Sequence, residues 1–289
     1  MKQTMLYLVT VLIWGSTWIA IKFQLGHVDP MVSVIYRFGL ASAVLFGFCK
    51  ILGLSLKFSL RNHLFMAILG VSLFSINYWL IYEAEVYLTS GIAAVVFSSL
   101  VFFNIANNAI FRGVAVNRKI LMGAVVGICG ICLIYMREIG SFSLADQGVK
   151  GLILALSSVM LASIGNITSA RNTKAKIPVI QANAFGMTYG TLFLVVIALC
   201  MGKHFEFTFS VPYIGSLTFL SLFGSIVAFG SYLTLIGTMG ADKASYAITV
   251  VPVVALIIST FAEGYVWSVP AMIGLCFVLA GNIIVLAWK

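Results

Sequence analysis

The sequence predicts an all-α integral membrane protein in which ten transmembrane helices form two inverted five-helix repeats around a central cavity. Three observations support this fold class. The 289 residues are 62% hydrophobic and only 9% charged, whereas about a quarter of the residues in soluble proteins are charged. The apolar residues form long continuous runs, and the charges between these runs are distributed unequally over the two sides of the bundle. A water-soluble fold of this composition could not cover its surface.

The apolar runs have the length of membrane-spanning helices. A helix needs about 20 predominantly apolar residues to cross the hydrocarbon core. Helices are favoured because each backbone group then finds its hydrogen-bond partner within its own segment. Breaks at glycine, proline and charged residues divide the chain into ten predicted spans: 4–24, 31–53, 63–83, 88–111, 119–136, 149–170, 178–201, 212–236, 244–262 and 268–288.

The distribution of charge orients the predicted bundle. With the N-terminus inside, twelve of the seventeen lysine and arginine residues fall in inner segments, and seven of the eight acidic residues fall on the outer side. Cytoplasmic segments of membrane proteins carry such an excess of basic residues. The net charge of +9 therefore fits membrane orientation, and no nucleic-acid partner is expected because the basic residues form no stripe. We expect a multi-pass protein of the cell inner (cytoplasmic) membrane with both termini in the cytoplasm.

The two halves of the sequence, 1–138 and 148–289, show the signs of an internal repeat. Pro30 opens the second span of the first half, and Pro178 opens the second span of the second half. Near the ends of the halves, glycines at 123 and 130 match glycines at 274 and 281. Five spans per half is an odd number, so the second half enters the membrane in the opposite orientation. Inverted repeats of this kind place a binding site near the midplane between the halves.

Short polar and aromatic motifs lie in or beside six of the predicted spans. They are residues 12–18 (LIWGSTW), 20–22 (AIK), 29–30 (DP), 36–38 (YRF), 77–78 (NY), 87–91 (YLTSG), 224–225 (GS) and Pro252. In this order they resemble EamA-type transporters of the drug/metabolite transporter superfamily, and the resemblance covers essentially the whole chain. It implies ten helices with a cavity formed mainly by the first, third, fourth, sixth, eighth and ninth spans.

The resemblance also implies a function. Known relatives export amino acids and other metabolites, or exchange nucleotide sugars and phosphorylated compounds. We therefore expect a carrier that moves a small metabolite, such as an amino acid or amine, by alternating access, as an exporter or exchanger. Family members often end the fourth and ninth spans with a Gly-Glu pair. This chain departs from that pattern at residues 111–113 and 262–264, so no binding role is predicted for Glu263.

The first span carries the most distinctive candidate site. Trp14, Trp18 and Lys22 are spaced four residues apart, so they share one face of a helix. The lysine could hold a substrate carboxylate while the two indole rings pack on the apolar part of the substrate. The alternative is that Lys22 extends to the membrane interface near the end of the helix.

Other polar side chains within the spans are candidates because burying them without partners is costly. Tyr82 could instead belong to an interfacial aromatic belt, and Asn104, one turn from Asn108, could instead bridge helices. The further candidates for substrate binding are Asn77, Tyr78, Tyr82, Ser98, Asn104, Asn166, Tyr232 and Tyr246.

Two residues are expected to have structural or gating roles, namely Arg37 and Pro252. Arg37 lies about seven residues into the second span, and an arginine near the centre of a span costs roughly 2.5–3.5 kcal/mol on translocon scales. We therefore expect a partner for Arg37, either helix-end carbonyl groups or Asp29. Direct contact with a ligand is the alternative for this side chain.

The sequence also disfavours other classes of function. No acidic residue falls in the middle of a predicted span, so a carboxylate proton relay has no candidate and proton coupling is disfavoured. Paired aspartates, a serine with a nearby histidine, and an HExxH zinc motif are missing at membrane depth, which argues against an intramembrane enzyme. A channel is the other alternative. We expect no cofactor or metal, and the expected partners are a small-molecule substrate and the lipid bilayer, with a monomer favoured.

Overall fold

The computed structural model describes residues 2–112, 118–134, 147–239, 244 and 246–287. Within these residues all regular secondary structure is helical, so the all-α class is confirmed. The elements in chain order are α1 (Lys2–Lys22), α2 (Pro30–Ile51), α3 (Leu60–Leu73), α4 (Ile76–Tyr87), α5 (Ser90–Phe97), α6 (Leu100–Arg112), α7 (Arg118–Ile134), α8 (Gln147–Lys174), α9 (Val179–Cys200), α10 (Val211–Phe219), a π-helical segment (Leu220–Val227), α11 (Ala228–Met239), α12 (Tyr246–Ala262) and α13 (Val269–Ala287).

Several helical stretches are long and apolar enough to cross a membrane. In the described part of the chain there are seven, formed by α1, α2, α3 with α4, α5 with α6, α8, α9, and α10 through α11. Three shorter apolar stretches, Met122–Ile134, Val250–Ala262 and Val269–Ile284, occupy the positions of the predicted fifth, ninth and tenth spans. Leu192, Val196 and Leu199 form an exposed apolar face on α9, as expected of a helix that faces lipid. The chain is therefore a multi-pass membrane protein.

Proline lies at the starts of two helices, as the sequence predicts, and a polar side chain caps the first of them. Pro30 is the first residue of α2, and the carboxylate of Asp29 accepts a hydrogen bond from the backbone N–H of Met31 at 2.9 Å. Pro178 immediately precedes α9. Proline is well tolerated at the first turn because its missing N–H has no partner there in any case.

Three of the long stretches are interrupted within the membrane-spanning part. The α-helix stops between α3 and α4 at Phe74 and Ser75, and between α5 and α6 at Ser98 and Ser99. Between α10 and α11 the chain forms a π-helix over Leu220–Val227. The sequence predicts continuous spans at these places because hydropathy reports the environment of side chains and not the register of backbone hydrogen bonds.

Side chains donate to backbone carbonyl oxygens beside each interruption. Such bonds matter in lipid, where no water is available to pair with an exposed backbone group. The donors and acceptors are Asn77 Nδ2 to Leu73 O at 3.1 Å, Ser98 Oγ to Val95 O at 2.6 Å, and Ser225 Oγ to Leu220 O at 2.9 Å. The polar residues near the interruptions therefore serve the backbone as well as the interior of the bundle.

Glycines bring two pairs of helices into backbone contact. A Cβ atom on Gly130 of α7 would lie 2.6 Å from the carbonyl oxygen of Gly274 of α13, and one on Gly281 would lie 2.5 Å from the carbonyl oxygen of Gly123. These two contacts show that α7 and α13 run antiparallel. Gly70 of α3 meets the backbone of α9 in the same way. Small residues at helix interfaces permit this close approach in membranes.

Candidate functional site

A cavity that is partly open to the outside lies in the interior of the bundle. Its walls come from α1, α2, the junctions α3–α4 and α5–α6, α8, α11 and α12. The lining residues are Trp14, Thr17, Trp18, Ile21, Arg37, Leu73, Asn77, Tyr78, Ile81, Ala94, Phe97, Ser98, Leu100, Ala162, Asn166, Phe229, Tyr232, Ile248 and Val251.

The structure brings most of the candidate residues to this cavity. Seven of the side chains proposed from the sequence as substrate-binding line it, together with Arg37, which was expected to be structural or gating. Those seven are Trp14, Trp18, Asn77, Tyr78, Ser98, Asn166 and Tyr232. Aromatic rings dominate one wall, where Trp14 packs edge-on to Phe229 with ring centroids 5.0 Å apart and lies 4.9 Å from Tyr232.

Four of the candidates are placed elsewhere or cannot be placed. The lining of the cavity does not include Lys22, Tyr82 or Asn104. Asn104 Oδ1 accepts a long hydrogen bond of 3.5 Å from Asn166 Nδ2, which links α6 to α8. The side chain of Tyr246 lies outside the described residues, although its backbone begins α12.

Arg37 is the charged residue of the cavity wall, and it is 1% exposed. Its Nε donates to Ser225 Oγ at 3.0 Å, and its Nη1 donates to the hydroxyl of Tyr82 at 3.3 Å. The guanidinium carbon also lies 4.6 Å from the centre of the Tyr78 ring. The expected partners, helix-end carbonyls or Asp29, are not the ones found, because Asp29 instead pairs with Lys203 at 2.5 Å.

The π-helical segment shapes the wall that faces Arg37. Ser225 donates to the carbonyl oxygen five residues earlier, at Leu220, and this π-type geometry leaves its Oγ free to accept from Arg37. The carbonyl oxygen of Gly224 accepts a hydrogen bond from Trp14 Nε1 at 3.3 Å. A side chain at position 224 would also crowd Thr17 and Arg37. Short π-helices occur frequently at functional sites, and this one connects α1 and α2 to the second half of the chain.

Asn77 lies in the first turn of α4, directly after the interruption between α3 and α4, and both ends of its amide form hydrogen bonds. Its Nδ2 donates to Leu73 O at 3.1 Å, and its Oδ1 accepts from Ser158 Oγ on α8 at 2.5 Å. The side chain is 1% exposed. Asn77 therefore fixes the position of α8 against α4 while contributing to the cavity wall.

Lys22 belongs to a polar cluster at one end of the bundle, which we call the Lys22 end. This end comprises the last turn of α1, the junction between α4 and α5, and the residues that follow α12. Lys22 Nζ donates to the carbonyl oxygens of Glu85 and Leu88 at 2.5 and 2.6 Å. It also lies 3.8 Å from Glu263 Oε1. A cation beside the last carbonyls of α4 is favourable because the C-terminal end of a helix carries partial negative charge.

Glu263 completes this cluster from the second half of the chain. Its carboxylate accepts hydrogen bonds from the backbone N–H and the hydroxyl of Ser90, the first residue of α5, and from Ser259 Oγ at 2.7 Å. An anion at a helix N-terminus is stabilised by the unpaired N–H groups there. Sequence reasoning assigned Glu263 no binding role, and nothing in the sequence connects it to a residue 173 positions away.

Glu85 is more deeply buried than the sequence indicates. The predicted third span ends at residue 83, but α4 continues to Tyr87, and Glu85 lies within it with no exposed surface. Neither of its carboxylate oxygens has a hydrogen-bond partner among the described residues. Lys22, Arg37 and Glu263 are the charged groups that act on it electrostatically.

A second ion pair lies near the same end of the bundle, between the loop after α9 and the start of α2. Lys203 Nζ donates to Asp29 Oδ2 at 2.5 Å. This hydrogen bond raises the pKa of Lys203 above its ordinary value. Both side chains are about a quarter exposed, so the pair contributes little to stability.

Pro252, the other residue with an expected structural role, lies inside α12 and is buried. Because proline lacks an N–H group, the carbonyl of Ile248 loses its usual partner one turn earlier. Ile248 lines the cavity. The proline therefore alters the helix at the level of the cavity wall.

The sequence is similar to one family of transporters and to individual members from several organisms. The sequence pattern of the EamA-like transporter family matches residues 1–136 and again residues 149–287. The chain is 28% identical to the Escherichia coli K12 protein named uncharacterized inner membrane transporter YedA, over 88% of this chain and 80% of that protein. It is 27% identical to an uncharacterized transporter of Archaeoglobus fulgidus, over 99% of each.

Two further comparisons extend these similarities to another relative and to a solved structure. The chain is 23% identical to protein PagO of Salmonella typhimurium, over 93% of this chain and 88% of that protein. A solved crystal structure superimposes on 98% of this chain and 95% of its own, with a TM-score of 0.72 and 16% identity. At that identity the superposition shows a shared fold and nothing about substrate.

Proposed function

The chain belongs to the EamA-like transporter family, and from this membership we propose that it carries a small metabolite across the cell inner membrane by alternating access, as an exporter or exchanger. The observation that supports this proposal is the interior cavity, whose walls are drawn from both halves of the chain. A carrier needs such a site, which one set of helices can expose to either side of the membrane in turn.

We further propose that the ten apolar helical stretches form two inverted repeats, 1–138 and 148–289. The contacts between α7 and α13 support this arrangement. The same spacing of 151 residues separates Gly123 from Gly274 and Gly130 from Gly281. The contact between Gly130 and Gly274 therefore corresponds under the repeat to the contact between Gly281 and Gly123, and both occur. A twofold axis that relates two antiparallel helices in this way lies perpendicular to them, as an inverted repeat requires.

The Lys22 end has the features of a gate in this proposal. Its ionic cluster joins α1 and the α4–α5 junction of the first repeat to the end of α12 in the second repeat. Opening the cavity on this side requires these groups to separate. Each of them is polar, so water that enters the opened passage can replace the lost hydrogen bonds.

Saturable counterflow tests the carrier function. Proteoliposomes that contain the purified protein are loaded with one unlabelled compound from a panel of carboxylates, amino acids, amines and nucleosides, and uptake of the same compound in radiolabelled form is followed. We expect at least one compound to show trans-stimulated uptake that saturates with external concentration, because a carrier returns faster when loaded. Uptake that rises linearly and is not stimulated from the opposite side would instead indicate a channel.

The orientation of the bundle has its own test, which needs no substrate. We propose that the Lys22 end faces away from the cytoplasm, on the basis of the excess of basic residues in the other set of loops. In a variant without the native cysteines, Lys57→Cys and His204→Cys introduce single thiols at two exposed loop positions. An impermeant maleimide added to intact right-side-out vesicles should label His204→Cys and leave Lys57→Cys unlabelled until the vesicles are opened. Labelling of both thiols in intact vesicles would contradict the proposed number of crossings between them.

A further inference from the structure

We propose that Arg37 is the subsite for an anionic group of the transported compound, and that this compound is a monocarboxylate with an apolar body. The inference rests on the proposed carrier function and makes it more specific. It differs from the expectation that Lys22 would hold a substrate carboxylate. Four observations carry it: the hydrogen bonds that Arg37 lacks, a second donor without a partner, the charge of the lining, and the aromatic walls.

The guanidinium of Arg37 is buried but only partly hydrogen-bonded. Of its five N–H groups, one on Nε reaches Ser225 and one on Nη1 reaches Tyr82. The hydroxyl of Tyr78 is a further hydrogen-bond partner of the guanidinium, and no acceptor for the remaining N–H groups is found among the described residues. No ion pair to Arg37 occurs within 4.0 Å in that part of the chain either. A buried cation whose donors are unpaired is costly unless a further partner arrives.

The cavity wall contains a second hydrogen-bond donor that lacks an acceptor among the described residues. Trp18 lines the cavity and is 8% exposed, and its indole Nε1–H finds no acceptor among the described residues. The neighbouring indole of Trp14 is satisfied by Gly224, so the two tryptophans of this helix face differ. The remaining donors of Arg37 and the indole N–H of Trp18 favour a ligand that supplies acceptor oxygens.

The charge of the lining favours an anion in the same way. Among the described lining residues Arg37 is the single charged side chain, and no aspartate or glutamate accompanies it. Glu85 acts on Arg37 through space, but it does not contact the guanidinium and so supplies no hydrogen bond to it. The planar guanidinium matches the two oxygens of a carboxylate, to which it can donate two parallel bonds. A cationic amine would find no acidic partner on this wall.

The aromatic walls of the cavity indicate the chemical character of the rest of the ligand. The rings of Trp14, Trp18, Tyr78, Phe97, Phe229 and Tyr232 surround the space beside Arg37. Such walls favour an aromatic or aliphatic body, since large rings pack well against apolar surface. One cation suits one negative charge better than a dianion. The geometry therefore selects a monocarboxylate over a phosphorylated compound or an amine.

Binding of matched probes tests the assignment. Phenylalkanoates with one to four methylene groups, from phenylacetate upwards, are compared with their neutral amides and with phenethylamine by isothermal titration of the purified wild-type protein. We expect the best carboxylate to bind at least about tenfold more tightly than its amide, which corresponds to the loss of a charge-assisted hydrogen bond. In Arg37→Gln the affinity of the carboxylate should fall to that of the amide, while the affinity of the amide stays within about twofold of its wild-type value. Arg171→Gln removes a guanidinium from α8 that is not part of the lining and should leave the preference intact.

Several outcomes would overturn the assignment. They are equal binding of acid and amide to the wild type, a stronger preference for phenethylamine, no binding of any phenylalkanoate at millimolar concentration, or an unchanged preference in a folded Arg37→Gln. The wild-type comparison needs no variant, so it decides the question even if Arg37→Gln fails to fold. Counterflow of a compound without a negative charge would refute the Arg37 subsite and leave the carrier function standing. Preferential binding of a carboxylate without any counterflow would support the Arg37 subsite and refute the carrier function.

Discussion

Covalent closure of the Lys22 end should stop transport completely, and reopening it should restore transport. The Nζ of Lys22 and the Oε1 of Glu263 lie 3.8 Å apart on opposite repeats. Cysteines at these two positions can therefore be joined by a reducible thiol-to-thiol linker about as long as the two side-chain ends that the substitutions remove. In the proposed cycle this contact must break each time the cavity opens on that side. A linked protein is confined to the closed arrangement seen here. Counterflow should fall below about a tenth of its unlinked rate, because a trapped carrier exchanges nothing, and a reductant should return it.

The same variant gives a readout that does not depend on the substrate. A third cysteine in place of Asn166 reports on the cavity after the linker has been attached. We expect an impermeant thiol reagent to reach this cysteine from the opposite end of the bundle only. As a control, each single cysteine variant is treated with the same linker and should keep its transport rate. Undiminished counterflow in the linked protein would show that the Lys22 end is not a gate.

A leucine at Gly130 should prevent the protein from folding stably. Even a Cβ atom at this position would lie 2.6 Å from the backbone oxygen of Gly274, which cannot move aside as a flexible side chain could. One added methylene group in a tight interface costs about 1–3 kcal/mol, and leucine adds a larger volume against backbone on both sides. We expect loss of the monodisperse peak in size-exclusion chromatography in mild detergent, and a smaller shift to lower thermal stability for Gly130→Ala.

Gly215 offers a matched control for this substitution. It lies in α10, is exposed to the exterior of the bundle, and has open space where a Cβ atom would be placed. Gly215→Leu should therefore elute and unfold like the wild type, because leucine is well accommodated in lipid. If Gly130→Leu behaved like Gly215→Leu, the close packing of α7 against α13 would be incorrect.

Hydropathy and proline positions suffice to predict the all-α membrane class and the starts of two helices. Pro30 and Pro178 stand at helix starts as expected, because proline at the first turn acts through local geometry that the sequence displays directly. The spacing of four residues predicts that Trp14 and Trp18 share a helix face, and both side chains line the cavity. These features depend on neighbours along the chain, and so they can be read from one sequence.

The remaining features depend on contacts between distant residues. Lys22 follows the tryptophans at the same spacing, yet it lies one turn further along α1 and meets the carbonyl oxygens at the end of α4. Arg37 is held at the cavity because its Nε donates to the hydroxyl of Ser225. Ser225 lies 188 residues away, within the π-helical segment. Neither the interruption of a helix nor the partner of a buried charge changes local hydropathy. For that reason the sequence suggested Lys22 as a partner for a substrate carboxylate, whereas the contacts between distant residues lead us to propose Arg37.

The glycine contact between α7 and α13 has a consequence for how such a protein can diversify. Among the described residues, neither helix contributes a side chain to the cavity wall, while their backbones meet at Gly130 and Gly274. The close packing of α7 against α13 thus involves residues other than those that line the cavity. Mutations in the lining leave the contact between α7 and α13 unchanged. The transported compound can therefore change during evolution while the packing of these two helices stays the same.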